Sequence, residues 1–164
     1  MHYFSYGSNM SIRRLLDRVP SANRVGTGIL EMHVLKFHKV SAKDGSAKCD
    51  ASETGIRGHL VYGVVFHISA HEKANLDNEE GLGYGYEEKE VLITLDDGTS
   101  LKAFTYYATS IDPALRPLDW YREHVLRGAR ENALPEEYIR MIEAIEYDED
   151  PDIERREKEL FIYG

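Results

Sequence analysis

The chain has 164 residues, 42% of them hydrophobic and 30% charged, enough for one soluble domain with its own core. A formal charge of −9 argues against a nucleic-acid partner, whose phosphates need a basic surface, and against binding to an anionic membrane. No apolar run approaches the roughly 20 residues that span a bilayer. The first residues lack the basic-then-apolar pattern of a secretory leader, and the single cysteine, Cys49, has no internal disulfide partner, which fits a cytoplasmic protein.

Tyr3, Phe4, Ser5 and Tyr6 predict a short strand that stops at Gly7-Ser8-Asn9. Asn9 or Ser11 is placed to cap the helix that follows, Ile12 to Val19, with Leu15, Leu16 and Val19 inward and Pro20 ending it. A strand, a glycine turn and a helix start leave several backbone N–H groups aimed at one spot, a ready site for an anion or oxyanion. Many α/β domains carry such a turn without a ligand.

Val25 to Val40 predicts one bent strand or two, with Gly26 and Gly28 easing a bend or bulge. Ser41 to Gly58 is rich in Ser, Gly, Asp and Lys and predicts a long loop. His59 to Ile68 is almost continuously apolar, so a central strand buried on both faces is expected. Ala70 to Glu80 predicts a short helix, with Ser69 and Glu72 as a capping box and Gly81 in the C-terminal glycine position. Glu88 to Leu95 and Thr99 to Thr109 predict a hairpin about Asp96-Asp97-Gly98. Two helices follow, Arg116 to Asn132 and Glu136 to Tyr147. Then come an acidic stretch, Asp148 to Asp152, read as a solvated linker, and an apolar tail, Leu160 to Tyr163. This divides the chain into a domain over 1–147 and a segment over 148–164 that packs on the body or on a partner.

The chemistry is narrowed by what is missing. Seven scattered histidines and one cysteine make no metal-type cluster, and no G-x-S-x-G nucleophile elbow occurs. Gly81-Leu82-Gly83-Tyr84-Gly85 follows a helix instead of a strand and has the wrong spacing for a nucleotide loop. The carboxylates Asp77, Glu79 and Glu80 crowd a helix C-terminus, where the helix dipole and their mutual repulsion disfavour the anion and suit a general acid–base. An exposed acidic helix end is the plainer reading of the same residues.

Several segments, in order, resemble the γ-glutamylcyclotransferase family. Tyr6-Gly7-Ser8-Asn9 is similar to its Y-G-S-N substrate loop. Leu76-Asp77-Asn78-Glu79-Glu80-Gly81 is similar to its L-D-x-x-E-G segment. Phe104-Thr105-Tyr106 resembles a strand that gives the site a tyrosine, and Gly128 to Asn132, then Leu134-Pro135 and Tyr138, resembles its G-A-x-E-N-x-L-P-x-x-Y junction. The resemblance implies an α+β fold, a small, mostly antiparallel β-barrel flanked by helices. It also implies intramolecular aminolysis of a γ-glutamyl compound, releasing 5-oxoproline and a free amine or amino acid, as in glutathione metabolism.

Glu80 is then the catalytic residue, and Tyr6, Gly7, Ser8, Asn9, Tyr106 and Tyr86 are substrate-binding. The family's tyrosine beyond the glutamate falls among Tyr84, Tyr86 and Glu87. Lys43 to Asp50 resembles the loop of bacterial and γ-glutamylamine-type relatives, so the leaving group is open. No cofactor or metal is needed, and a small-molecule substrate and a homodimer are the expected partners. A non-catalytic binding module on the same fold is the alternative.

Overall fold

The computed structural model describes residues 1–164, and its sheet closes on itself. Strand β1 (His2–Ser5) lies antiparallel to β5 (Leu60–His67), with Phe4 opposite Val65. On its other side β5 pairs antiparallel with β2 (Asn23–Glu31). The sheet continues through β6 (Tyr86–Leu95) to β7 (Ser100–Ala108), both steps antiparallel. It closes where β7 meets β1 in parallel, Tyr3 against Phe104. Closure removes the open edges that would otherwise invite strand addition. As its apolar run predicts, β5 is interior, and Val61, Val64, Val65 and Phe66 are buried.

The long β tract divides in two at Met32, which takes a left-handed φ of 60°. The expected bulge lies between Arg24 and Gly26. Strand β3 (His33–Val40) then pairs with β4 (Ala47–Glu53) as a separate hairpin. Strand β4 occupies the stretch expected to be loop. Ala47, Cys49 and Ala51 are buried on one face, alternating with Lys48, Asp50 and Ser52, of which Asp50 is buried as well. Such small residues carry little β-propensity, so the strand follows from its packing and not from its composition. Asp50 anchors it, accepting the Ala108 N–H of β7 at 2.8 Å.

Helix α1 (Ile12–Arg18) buries Leu15 and, just beyond it, Val19. Leu16, expected inward, is partly exposed. Neither Asn9 nor Ser11 caps it with a side chain; Glu131 does, accepting the Ile12 N–H at 3.3 Å. Helix α2 (Lys73–Glu80) is preceded by a 3-10 turn over Ala70–Glu72, and Glu72 accepts from the Ser21 N–H instead of completing a capping box. Gly81 ends α2 with φ 74° and ψ 46°, a left-handed cap that an L side chain would strain. Helices α3 (Asp119–Glu131) and α4 (Glu136–Glu143) bury Trp120, Tyr121, Val125, Ala129 and Ile142 on the barrel.

The acidic stretch is not wholly solvated. Asp150 is 4% exposed; it accepts from Trp120 Nε1 at 2.7 Å and takes two bonds of 2.6 Å from Arg155. A further helix, α5 (Ile153–Leu160), runs into the tail, and Glu159 pairs with Arg14 at 2.6 Å. His124, fully buried, meets Glu159 and the Tyr163 hydroxyl, so the tail is fastened to α3 through polar groups. Leu160 packs on the core while Phe161 is exposed.

Candidate active site

Strand β1 delivers Tyr6-Gly7-Ser8-Asn9 to the barrel rim, and the chain turns at once into a 3-10 turn over Ser8–Met10. Its first bond runs from the Met10 N–H to the Gly7 carbonyl at 3.1 Å, so the N–H groups of Ser8 and Asn9 lie outside the ladder. The loop passes so close to β4 that a Cβ on Gly7 would stand 3.2 Å from the Cys49 Cβ. The G-A-R-E-N segment holds the loop from the other side. Gly128 lies against the Met10 backbone, Asn132 donates to the Met10 carbonyl at 3.1 Å, and Glu131 caps α1.

Glu80, the last residue of α2, meets this loop. Its Oε1 accepts from Asn9 Nδ2 at 2.7 Å and from Arg18 Nη1 at 3.3 Å. Arg18 also donates to Asn9 Oδ1 at 3.0 Å, and Asn9 donates to the Tyr3 hydroxyl at 3.3 Å. The three crowded carboxylates do not face one another. Asp77 takes Lys73 and the Tyr106 hydroxyl at 2.5 Å, and Glu79 reaches Arg18 and Lys43. The immediate surroundings of Glu80 are thus an amide donor and a guanidinium, not like charges.

Beside Glu80 opens a narrow cleft of about 20 Å³, lined by Tyr3, Ser5, Tyr6, Gly7, Ser8, Asn9, Cys49, Tyr86, Tyr106 and Tyr121. All seven residues expected at the site therefore converge. Tyr106 lines the cleft and donates its hydroxyl to Asp77, which α2 presents to β7, and not to Glu80. Of the three alternatives beyond the glutamate, Tyr86 lines the cleft and donates to the Cys49 carbonyl at 2.5 Å, while Tyr84 is exposed. Burial pushes the phenols of Tyr3, Tyr6, Tyr86, Tyr106 and Tyr121 upward, so they remain protonated near neutrality. Burial also raises the Cys49 thiol, making it a poor nucleophile.

Sequence reasoning missed Arg18, Tyr121, Cys49 and Ser5. Arg18 reads as an ordinary polar face of α1, and Tyr121 as an apolar residue of α3. Ser5 carried a usable signal, because a buried hydroxyl in an aromatic strand needs a partner. Its Oγ has none within the protein and borders the cleft.

A closed small barrel with a glycine loop, a helix-terminal glutamate and a tyrosine-walled cleft defines a ligand-binding or catalytic α+β domain. Residues 60–142 match the AIG2-like family. The chain is 31% identical to the mouse γ-glutamylcyclotransferase over 150 residues, 90% of this chain and 79% of that one. It is also 31% identical to the human γ-glutamylcyclotransferase over 147 residues, 88% of this chain and 78% of that one. A solved γ-glutamyl cyclotransferase structure superposes with a TM-score of 0.87 at 27% identity, covering 99% of this chain and 97% of that one. The chain belongs to the AIG2-like, γ-glutamylcyclotransferase family.

Proposed function

We propose that the protein is a γ-glutamylcyclotransferase-type enzyme that converts a γ-glutamyl compound to 5-oxoproline and a free amine or amino acid, with Glu80 as the acid–base. The observation that carries this reading is the Glu80 carboxylate bound to Asn9 at 2.7 Å, where the Tyr6–Asn9 loop meets α2 beside the cleft. Glu80 takes a proton from the substrate's α-ammonium. The freed amine adds to its own γ-carbonyl carbon, forming the C–N bond of a five-membered ring. The oxyanion that develops is met by the N–H groups of Ser8 and Asn9. Protonated Glu80 then gives its proton to the leaving nitrogen as the old C–N bond breaks. The extra proton on the ring nitrogen passes by the same carboxylate to the departing amine.

The substrate carries its own nucleophile at high effective concentration, so the protein need supply none. Asn9 and Arg18 fix the rotamer of Glu80, and Tyr6, Tyr86 and Tyr106 wall the cleft. Residues 1–147 form the catalytic domain in this reading, residues 148–164 strap it, and the enzyme works in the cytoplasm. The exposed Phe161 and Ile153 side chains are the surface on which a homodimer would form.

The test is to incubate the protein with γ-glutamyl amino acids and γ-glutamyl amines and to quantify products. Equimolar 5-oxoproline and free amine support the reading. Free glutamate in place of 5-oxoproline would mean attack by water and overturn it.

A further inference from the structure

Beyond Glu80 and Tyr86 the cleft widens into a groove of about 200 Å³. Five cations line it, Arg14, Arg18, Lys39, Lys43 and Lys48, on a protein whose formal charge is −9. Four of them are matched to carboxylates of the same groove. Arg14 pairs with Glu159 at 2.6 Å, Arg18 with Glu80 at 3.3 Å, Lys48 with Asp44 at 2.9 Å and Lys43 with Glu79 at 3.7 Å. Lys39 is left over. The residue as a whole is 5% exposed; its ammonium borders the groove, makes no hydrogen bond or ion pair within the protein and rests 4.5 Å from the centre of the Tyr86 ring.

Two local features hold it there. The register of β3 against β4 slips between Phe37 and Lys39, and a bulge of this kind re-aims a side chain. Gly85, at φ 111°, leaves room where a Cβ would stand 3.0 Å from Lys39 Cε and 3.3 Å from its Nζ. The stem is thus packed against an aromatic ring while the unpaired ammonium is presented to the groove, where an anion can meet it.

The place of Lys39 says which anion. Tyr6, Gly7 and Asn9 line the narrow cleft on one side of Glu80, where the cyclotransferase reading puts the glutamyl half of a substrate. Lys39 lines only the wider groove on the other side, and Ser8, Glu80, Tyr86 and Tyr121 border both spaces. A leaving group must extend from the carboxylate that protonates it. We infer that Lys39 is a specificity-determining residue whose ammonium binds a carboxylate on the leaving half, so that the enzyme prefers γ-glutamyl amino acids or peptides to γ-glutamyl amines lacking that group. This rests on the cyclotransferase reading and narrows it.

The test uses γ-glutamyl-alanine and γ-glutamyl-ethylamine, which differ by one carboxylate, with the parent, Lys39→Met and Lys39→Gln. Lys39→Gln keeps a polar end without the charge if the methionine variant folds poorly. A charge-assisted hydrogen bond predicts that kcat/KM of the parent favours the alanine compound by roughly 10–100-fold. Both variants should lose this ratio by losing rate on the alanine compound alone. An unchanged ratio overturns the inference. Equal losses on both compounds overturn it too, because Lys39 would then serve the glutamyl half. If the parent makes 5-oxoproline from neither, the cyclotransferase reading fails by itself, and calorimetric binding of the same pair decides the role of Lys39. Tighter binding of the alanine compound, abolished in Lys39→Met, upholds it; equal binding, or none, overturns it.

Discussion

Gly128 lies in the last turn of α3, some distance along the chain from any expected site residue, yet it bears directly on the substrate loop. A Cβ built there would stand 2.6 Å from the Met10 Cβ, 2.7 Å from the Ser11 nitrogen and 2.8 Å from the Met10 carbonyl carbon. Ordinary contact begins at 3.4 Å, so Gly128→Ala requires the helix and loop to part by about 0.8 Å. Two of the three nearest atoms are backbone, so no side-chain rotation relieves the clash. Overpacking of this sort costs about 1–3 kcal/mol, which for a chain of this length lowers Tm by roughly 2–12 °C. The loop that retreats carries Asn9, which holds Glu80. A misplacement near 1 Å at a reacting centre can cost ~100-fold in rate, so kcat should fall by about that factor well below Tm. Ile93→Val is the comparison. It trims a fully buried side chain, with a cost of about 0.5–1.5 kcal/mol, and should leave kcat unchanged. Differential scanning calorimetry and 5-oxoproline release at 25 °C measure both effects. A Gly128→Ala protein that loses stability but keeps parental kcat would refute the coupling between α3 and the loop.

Other consequences concern polar groups. Asn9→Ala should lower kcat by roughly 10–100-fold with little change in KM, because it removes a hydrogen bond to a charged group that positions Glu80. Tyr106→Phe removes a bond to Asp77 and not to Glu80, so its loss in kcat should stay within about tenfold; a larger loss would place the Tyr106 hydroxyl on the substrate. Stability should fall as pH falls. The Arg155 hydrogen bonds hold Asp150 at about 2, and Glu159, although burial raises it, is brought to about 2 by His124 and Arg14. Both contributions are present above the ordinary carboxylate range and are lost as pH falls toward 2. Burial pushes His124 down to about 4 from 6.5, so the unfolded chain takes up a proton that the folded one refuses between those values, and this loss begins below pH 6.5. Urea midpoints should therefore drop steadily from pH 7 to pH 3; a flat profile would contradict these assignments.

Much of the barrel is legible because its strands carry the pattern that burial demands. Strand β5 is almost wholly apolar, and β6 and β7 flank an Asp-Gly turn. Strand β4 escapes because small residues, packed under the Tyr6–Asn9 loop, replace the β-branched ones that mark a strand. Helix α5 escapes because the stretch is charged and its attachment is polar, through Asp150, Glu159 and Tyr163. At the site, Glu80, Gly7 and Asn9 are visible as a helix end and a turn. Arg18 and Lys39 are not, because a cation that faces a cleft has the same local pattern as one that faces water. What separates them is the bulge before Lys39 and the space left by Gly85, both products of pairing between distant segments.

The central claim is that one carboxylate, Glu80, carries the protons of ring closure. Its most direct test is 5-oxoproline release by Glu80→Gln beside the parent, on the best substrate of the panel, with folding checked by circular dichroism. The glutamine is close to isosteric and can still accept from Asn9, so the loop should stay in place while proton transfer is lost. General acid–base catalysis is worth about 10²–10⁴-fold, and kcat should fall by that factor. A folded Glu80→Gln protein within about tenfold of the parent rate would contradict the account and assign proton transfer to another group.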